Sequence, residues 1–376
     1  LSDLRAEPRT HGRDDLELVR TQTGRMAWQA NRHSAVRALS RDPRLSDFDP
    51  MLVKAAEAAV PAGDEHEDSL GWSKVLRTAF TPERVDGLRS RIEEIAGELL
   101  DAIGSGVRPP DLHGQFSVPL VRDVTCALIG VPGEDGHRFR VWWEAVKTGT
   151  RSEAAAGQAA LLKYVRQLIA ARRADRRDDF VSALVAAEHL SPTYADRTVK
   201  FLAGLVSKGR ETPVNAIDWG VVLLLRDPSA WDRVVADRRL LSSAVEELLR
   251  LFPVISGKIQ GPEGIRRFAL TDFESASSTV RRGDLMLLNV VAANMDTEVF
   301  GEPERFDIGR DPNPHLTFGF GPHSCPAAHL AKLELLVAFG SLLDRFPGLR
   351  LAVDAAELRF KERPTSEGFE SLPVTW

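Results

Sequence analysis

The chain has 376 residues, 43% hydrophobic and 27% charged, with a net charge of -5 and a pI near 6.1. That composition suits a large buried core, and the mild acidity excludes a general affinity for nucleic acid. The polar opening LSDLRAEPRTHGRDD and the lack of an apolar run of spanning length predict neither a signal peptide nor a membrane anchor. Cys126 and Cys325 are too few and too far apart for a disulfide framework or a zinc site, so a reducing cytoplasm is the expected setting. No low-complexity linker interrupts the sequence, which predicts a single domain over 1–376.

Taken in chain order, 18–23 and 25–30 read as a β-hairpin about Gly24. The run 81–103 reads as a helix, with Thr81 as cap and Pro82 at the first helical position. Amphipathic periods predict further helices over 118–128, 154–171, 179–187, 198–226 and 240–251. The apolar run 285–291 reads as a buried strand, and a last helix covers 326–346. The expected fold class is mainly α with small β-sheets.

The segment from Phe318 to Ala327, FGFGPHSCPA, carries the most chemistry. Gly319 and Gly321 permit positive φ and a close backbone approach. Pro326 suits the first turn of the following helix, which puts Cys325 at its N-cap, where amides and dipole favour a thiolate. A buried structural thiol beside a glycine turn is the plainer alternative. Cys126 has no motif around it and reads as a small core residue.

Every fixed position of that segment matches F-G-x-G-x-H-x-C-x-[GA], and the chain therefore resembles the cytochrome P450 superfamily. The resemblance implies a triangular helical prism enclosing heme b (iron protoporphyrin IX), with Cys325 as the axial iron ligand. It also implies His323 and Arg267 as propionate partners, with Phe318, Gly319 and Gly209 against the cofactor. Glu247-Leu248-Leu249-Arg250 matches the family's E-x-x-R signature, and the i, i+3 spacing puts the two charges side by side on a helix. Arg305, in Pro303-Glu304-Arg305-Phe306, is the expected third member of a network bracing the thiolate loop. Gly209-Arg210-Glu211-Thr212 resembles the oxygen-activation motif, with Glu211 and Thr212 handling protons. An exposed Glu-Thr pair with no such role is the alternative.

Three departures stand out. Lys208 replaces the small residue usual before Gly209, and either pairs with Glu211 or turns outward. Pro213, inside the expected helix 198–226, should remove the hydrogen bond to the Gly209 carbonyl and open the helix there. Where the family carries a His-x-x-x-Arg pair for the propionates, this chain has Ser69 and Ser73, leaving Lys74 or Arg77 to stand in, or to join a basic docking face. Pro326 after the cysteine is shared with a subset that oxidises cyclic dipeptides.

The implied function is an O2-dependent oxidase of a small, largely apolar natural-product intermediate. Electrons from NAD(P)H would arrive through ferredoxin reductase and ferredoxin, since no flavin or iron–sulfur motif lies in the chain. The expected enzyme is a monomer without nucleic-acid or membrane partners. Hydroxylation is the usual outcome; oxidative C–C or C–N aryl coupling, as of a tryptophan-containing cyclic dipeptide, is the second. A peroxide-driven enzyme and a non-catalytic partner protein of the same fold are further readings. The substrate pocket is expected around Leu202, Leu205, Val206, Val254, Ile255 and Phe369, for each of which core packing is the alternative.

Overall fold

The computed structural model describes residues 16–21, 23–47, 49, 65–106, 108–148, 150–207, 209, 211–252, 264–275, 278–361 and 368–376. The first half carries β1 (Glu17–Arg20), β2 (Met26–Ala30), α1 (His33–Leu39), β3 (Leu45–Ser46), α2 (Glu65–Ala79), α3 (Pro82–Asp86) and α4 (Arg89–Gly104). A π-helical turn (His113–Ser117) leads into α5 (Val118–Ile129), followed by α6 (Gly136–Thr148), α7 (Arg151–Ala174) and α8 (Phe180–Ala186). Next come α9 (Tyr194–Ser207), α10 (Glu211–Arg226), α11 (Pro228–Ala236) and α12 (Leu240–Leu251). The strands β4 (Ile265–Ala269), β5 (Phe273–Ser275), β6 (Ser278–Val280) and β7 (Leu285–Leu288) precede α13 (Val290–Ala293). The chain ends through α14 (Ala328–Arg345), β8 (Arg350–Leu351) and β9 (Val374–Thr375). The fold is mainly helical with small sheets. No helix among the described residues is long and apolar enough to cross a membrane.

Packing divides the chain into two units of interleaved segments. The first takes the residues up to Ser73, Asp237–Cys325 and Phe360–Gly368. Among its described residues is a five-stranded sheet in the order β1-β2-β7-β4-β3, antiparallel except for the β2–β7 pair. Gly24 turns the β1–β2 hairpin at φ +83, a conformation glycine adopts without a Cβ penalty. All four residues of β7 are buried, as its unbroken apolar run requires. The run ends as a strand at Leu288 rather than 291, because the Asn289 side chain accepts from Ala292 N at 3.0 Å and caps α13.

The second unit takes Lys74–Ala236, Pro326–Arg359 and Phe369–Trp376. Here the expected helix 81–103 is two helices, with a break at Gly87-Leu88. Thr81 does cap the first, accepting from Arg84 N at 3.3 Å. The expected helix 198–226 is also two, α9 and α10. Gly209 N donates five residues back to Gly204 O at 3.0 Å, and a Cβ on Gly209 would stand 2.7 Å from Leu205 O. The helix restarts at Glu211, so Pro213 lies in the first turn of α10, where a missing N–H breaks no intrahelical bond. The proline therefore follows the interruption instead of bridging it; its ring would collide with the Gly209 carbonyl in a continuous helix. From Val214 to Leu225, α10 is buried on every side.

Candidate functional site

In the first unit, Cys325 N donates to Phe318 O at 2.7 Å and closes the loop FGFGPHSC. Gly319 and Gly321 hold φ of +71 and +74, as the sequence requires. A Cβ on Gly321 would strike Arg41 Cγ at 2.7 Å, so only glycine lets the loop lie against that arginine. Arg37 and Arg41 both cover the ring of Phe320, at 4.6 and 4.3 Å. Cys325 itself is exposed, unusual for a residue type that is otherwise among the most buried. It is not the helix N-cap: α14 starts at Ala328 with Ala327 as cap, after a turn through Pro326. The cysteine stands two residues ahead of the cap, and a dipole contribution fades over that distance.

The loop is braced from α12. Arg250 donates from Nε and Nη2 to the two oxygens of Glu247 at 2.8 Å each, with both side chains fully buried. The third cation is Arg310, whose Nε lies 3.1 and 3.0 Å from the same carboxylate. Asp307 N and Asn313 Nδ2 complete it at 3.0 Å each. The assignment of Arg305 to this network is thus corrected: its guanidinium is exposed and pairs with Glu302 at 3.1 Å, and only its carbonyl accepts from Arg250. Spacing alone could not separate two arginines five positions apart in an irregular segment. Arg250 also donates to Asn294 O at 2.8 Å, and Asn294 Oδ1 accepts from Leu316 N at 2.7 Å. Thr317 Oγ1 donates to Leu249 O at 2.7 Å and accepts from Asn294 Nδ2 at 2.9 Å. Hydrogen bonds thus link Glu247, through Arg250 and Asn294, to Leu316 and Thr317 at the start of the thiol loop. Neither Arg310, Asn294 nor Thr317 lies in a motif that the sequence flags.

Arg267 and His323 come together on Asp47. Arg267 Nη1 is 2.7 Å from Asp47 Oδ1, and His323 Nδ1 is 3.0 Å from Oδ2, an ion-pair distance without the alignment of a hydrogen bond. Asp47 lies one position past the β3–β4 pairing of Ser46 with Phe268, which sets it across from Arg267. Burial, opposed by Asp47, lowers the Arg267 pKa, and its Nε is a buried donor with no hydrogen-bond partner among the described residues. A nearly buried guanidinium and an imidazole converging on one carboxylate, with a donor to spare, fit the propionate of a heme. With the exposed Cys325 thiol on the adjoining loop, the donor set of this unit fits heme and iron.

In the second unit, Glu211 is half-buried and Thr212 exposed in the first turn of α10, and Gly209 is exposed before it. On α9, Leu205 is half-buried, whereas Leu202 and Val206 have at most 1% of their surface accessible. Phe369 is fully covered and packs on Trp219 at 4.8 Å. Leu202, Val206 and Phe369 are therefore core residues and not open pocket walls: apolar helix faces look alike in sequence whichever way they turn. Lys74 is exposed and Arg77 half-buried on α2. Lys208, Val254 and Ile255 lie outside the described residues. Cys126 is half-buried, and burial pushes its thiol up to about 12, which keeps it protonated.

Comparison with known proteins gives one answer. The sequence model of the family Cytochrome P450 matches residues 138–352. The chain is 36% identical to nocardicin C N-oxygenase of Nocardia uniformis subsp. tsuyamanensis, over 95% of this chain and 92% of that protein. It is 35% identical to mycinamicin IV hydroxylase/epoxidase of Micromonospora griseorubida, over 96% and 93%. Among solved structures, the LnmA cytochrome P450 hydroxylase of the leinamycin pathway of Streptomyces atroolivaceus superposes with a TM-score of 0.81 at 34% identity, covering 97% of this chain and 94% of that one. With the thiol loop, its brace and the Arg267–His323 pair in place, this chain belongs to the cytochrome P450 family.

Proposed function

We propose that the protein is a heme b monooxygenase that oxidises a small, largely apolar natural-product intermediate with electrons from NAD(P)H, delivered by ferredoxin reductase and ferredoxin. The observation that carries this reading is the braced loop presenting an exposed Cys325 beside the Arg267–His323 pair. When bound, heme would supply dioxygen activation, and the thiolate of Cys325 would hold its iron. Arg267 and His323, which meet on Asp47 here, would bind propionate oxygens of the heme. Glu247, Arg250, Arg310 and Asn313 hold the loop so that the sulfur keeps one position. Thr212 both donates and accepts through its hydroxyl, and Glu211 supplies a carboxylate one residue away, so the pair can hold and pass protons.

The names of the relatives support the substrate class: one acts on nocardicin C, another on mycinamicin IV. Hydroxylation is the proposed outcome. The enzyme is proposed to work in the cytoplasm as a monomer and as one catalytic domain, since neither unit is a continuous stretch of chain. The test is the absorption spectrum of the reduced protein under carbon monoxide. A long-wavelength Soret band that disappears in Cys325→Ala is expected; a short-wavelength band in the intact protein would overturn thiolate ligation.

A further inference from the structure

Asp218 is the one acidic residue in the apolar stretch between Glu211 and Arg226, and it has no accessible surface. Its carboxylate is gripped from both sides. Ser117 Oγ donates to Oδ1 at 2.6 Å, and His113 Nδ1 meets Oδ2 at 2.6 Å. His113 and Ser117 are the first and last residues of the π-helical turn, and both are at most 2% exposed. π-Turns are rare and concentrate at functional sites. The arrangement is no nucleophile triad, because serine and histidine both address the carboxylate and not each other.

A buried polar trio of this kind is poorly explained by stability. Apolar residues of similar volume would fill the space without the desolvation cost of a carboxylate. What the trio does supply is a directional contact. Apolar side chains let a helix buried on all sides rotate or slide by small steps; two short hydrogen bonds to one carboxylate do not. Asp218 lies seven residues after Glu211, two turns along the same face of α10. Whatever fixes Asp218 fixes the face from which Glu211 projects, and Thr212 beside it.

The grip also extends to the C-terminal segment. His113 N donates to Asp111 Oδ1 at 3.1 Å, and that oxygen accepts from Leu372 N at 2.6 Å. Leu112 N donates to Leu372 O at 2.9 Å, while Trp219, next to Asp218, packs on Phe369. The turn that holds α10 therefore holds the end of the chain as well.

We propose that Asp218, gripped by His113 and Ser117, is a positioning residue that sets the rotation of α10 about its axis and thereby the placement of Glu211 and Thr212. The role of that pair rests on the monooxygenase reading above; the anchoring of the helix does not.

The test compares heme-loaded Asp218→Asn and Ser117→Ala with Val222→Ala, a fully buried position on the same helix without polar contacts. Amide hydrogen exchange is read on the peptide spanning Glu211 to Asp218. Exchange there is expected to quicken about tenfold in Asp218→Asn and less in Ser117→Ala, beyond any change in Val222→Ala at matched melting temperature. Peroxide released per NAD(P)H consumed should at least double in the same order. Equal exchange in all three overturns the anchor. Faster exchange with unchanged peroxide release overturns its link to Glu211 and Thr212. Should Asp218→Asn fail to fold, Ser117→Ala against Val222→Ala decides alone. The exchange readout stands even if the carbon monoxide spectrum refutes thiolate ligation.

Discussion

Cys325 and Cys126 show how one residue type divides by environment. The first is exposed on a glycine loop; the second sits beside Asp123 in a site that keeps its thiol protonated. Glu334 on α14 presents the opposite problem, a carboxyl buried in a helix interior. Burial pushes it up to about 8 from an ordinary value of 4.5. Between those pH values the folded chain keeps a proton that the unfolded chain has released, so stability falls as pH rises through the window. Each pH unit removes up to about 1.4 kcal/mol. Glu334→Gln should flatten this part of the profile and be more stable than the parent above pH about 8. Urea unfolding at several pH values measures it; parallel profiles for parent and variant would exclude Glu334 as the source.

At the scale of elements, the brace on α12 makes a sharp distinction between two arginines. Arg310→Ala leaves the fully buried Glu247 with one cation fewer and should cost about 3 kcal/mol and weaken heme retention. Arg305→Ala removes an exposed pair and should change stability by less than about 0.5 kcal/mol. Thermal melts and heme loss to an excess of apomyoglobin test both; the reverse ranking would refute the assignment. The E-x-x-R pair was legible because its spacing on a helix dictates the contact. Its third cation was not, since the segment 301–314 is irregular and backbone conformation there decides which guanidinium turns inward. The same limit explains α9 and α10. Apolar periodicity runs on through 198–226, and the interruption depends on Gly209 and the ring of Pro213 acting on neighbouring turns.

For the molecule as a whole, the chain is woven into two units from alternating segments, and the first of them carries the donor set for a cofactor. A ligand that binds only the folded chain stabilises it by mass action, by about 2.7 kcal/mol at a hundredfold excess over Kd. Calorimetry should show a higher melting temperature for the heme-loaded protein than for the same protein stripped of heme, and a smaller gain in Cys325→Ala. An equal gain in both would mean that the sulfur contributes nothing to retention. By itself the sequence determined the thiol loop, the Glu247–Arg250 pair, the buried β7 run and most helix positions. Each of these depends on residues within one or two turns of one another. The tertiary structure alone decided that Arg310 completes the brace, that Asp47 joins Arg267 to His323, and that Leu202, Val206 and Phe369 face the core. It alone brought His113 and Ser117, 105 and 101 positions away, onto Asp218. Partners that distant are set by how helices pack, and no local pattern encodes them. Cys325 needed only its neighbours to be recognised, but its place two residues ahead of the α14 cap came from the turn at Pro326.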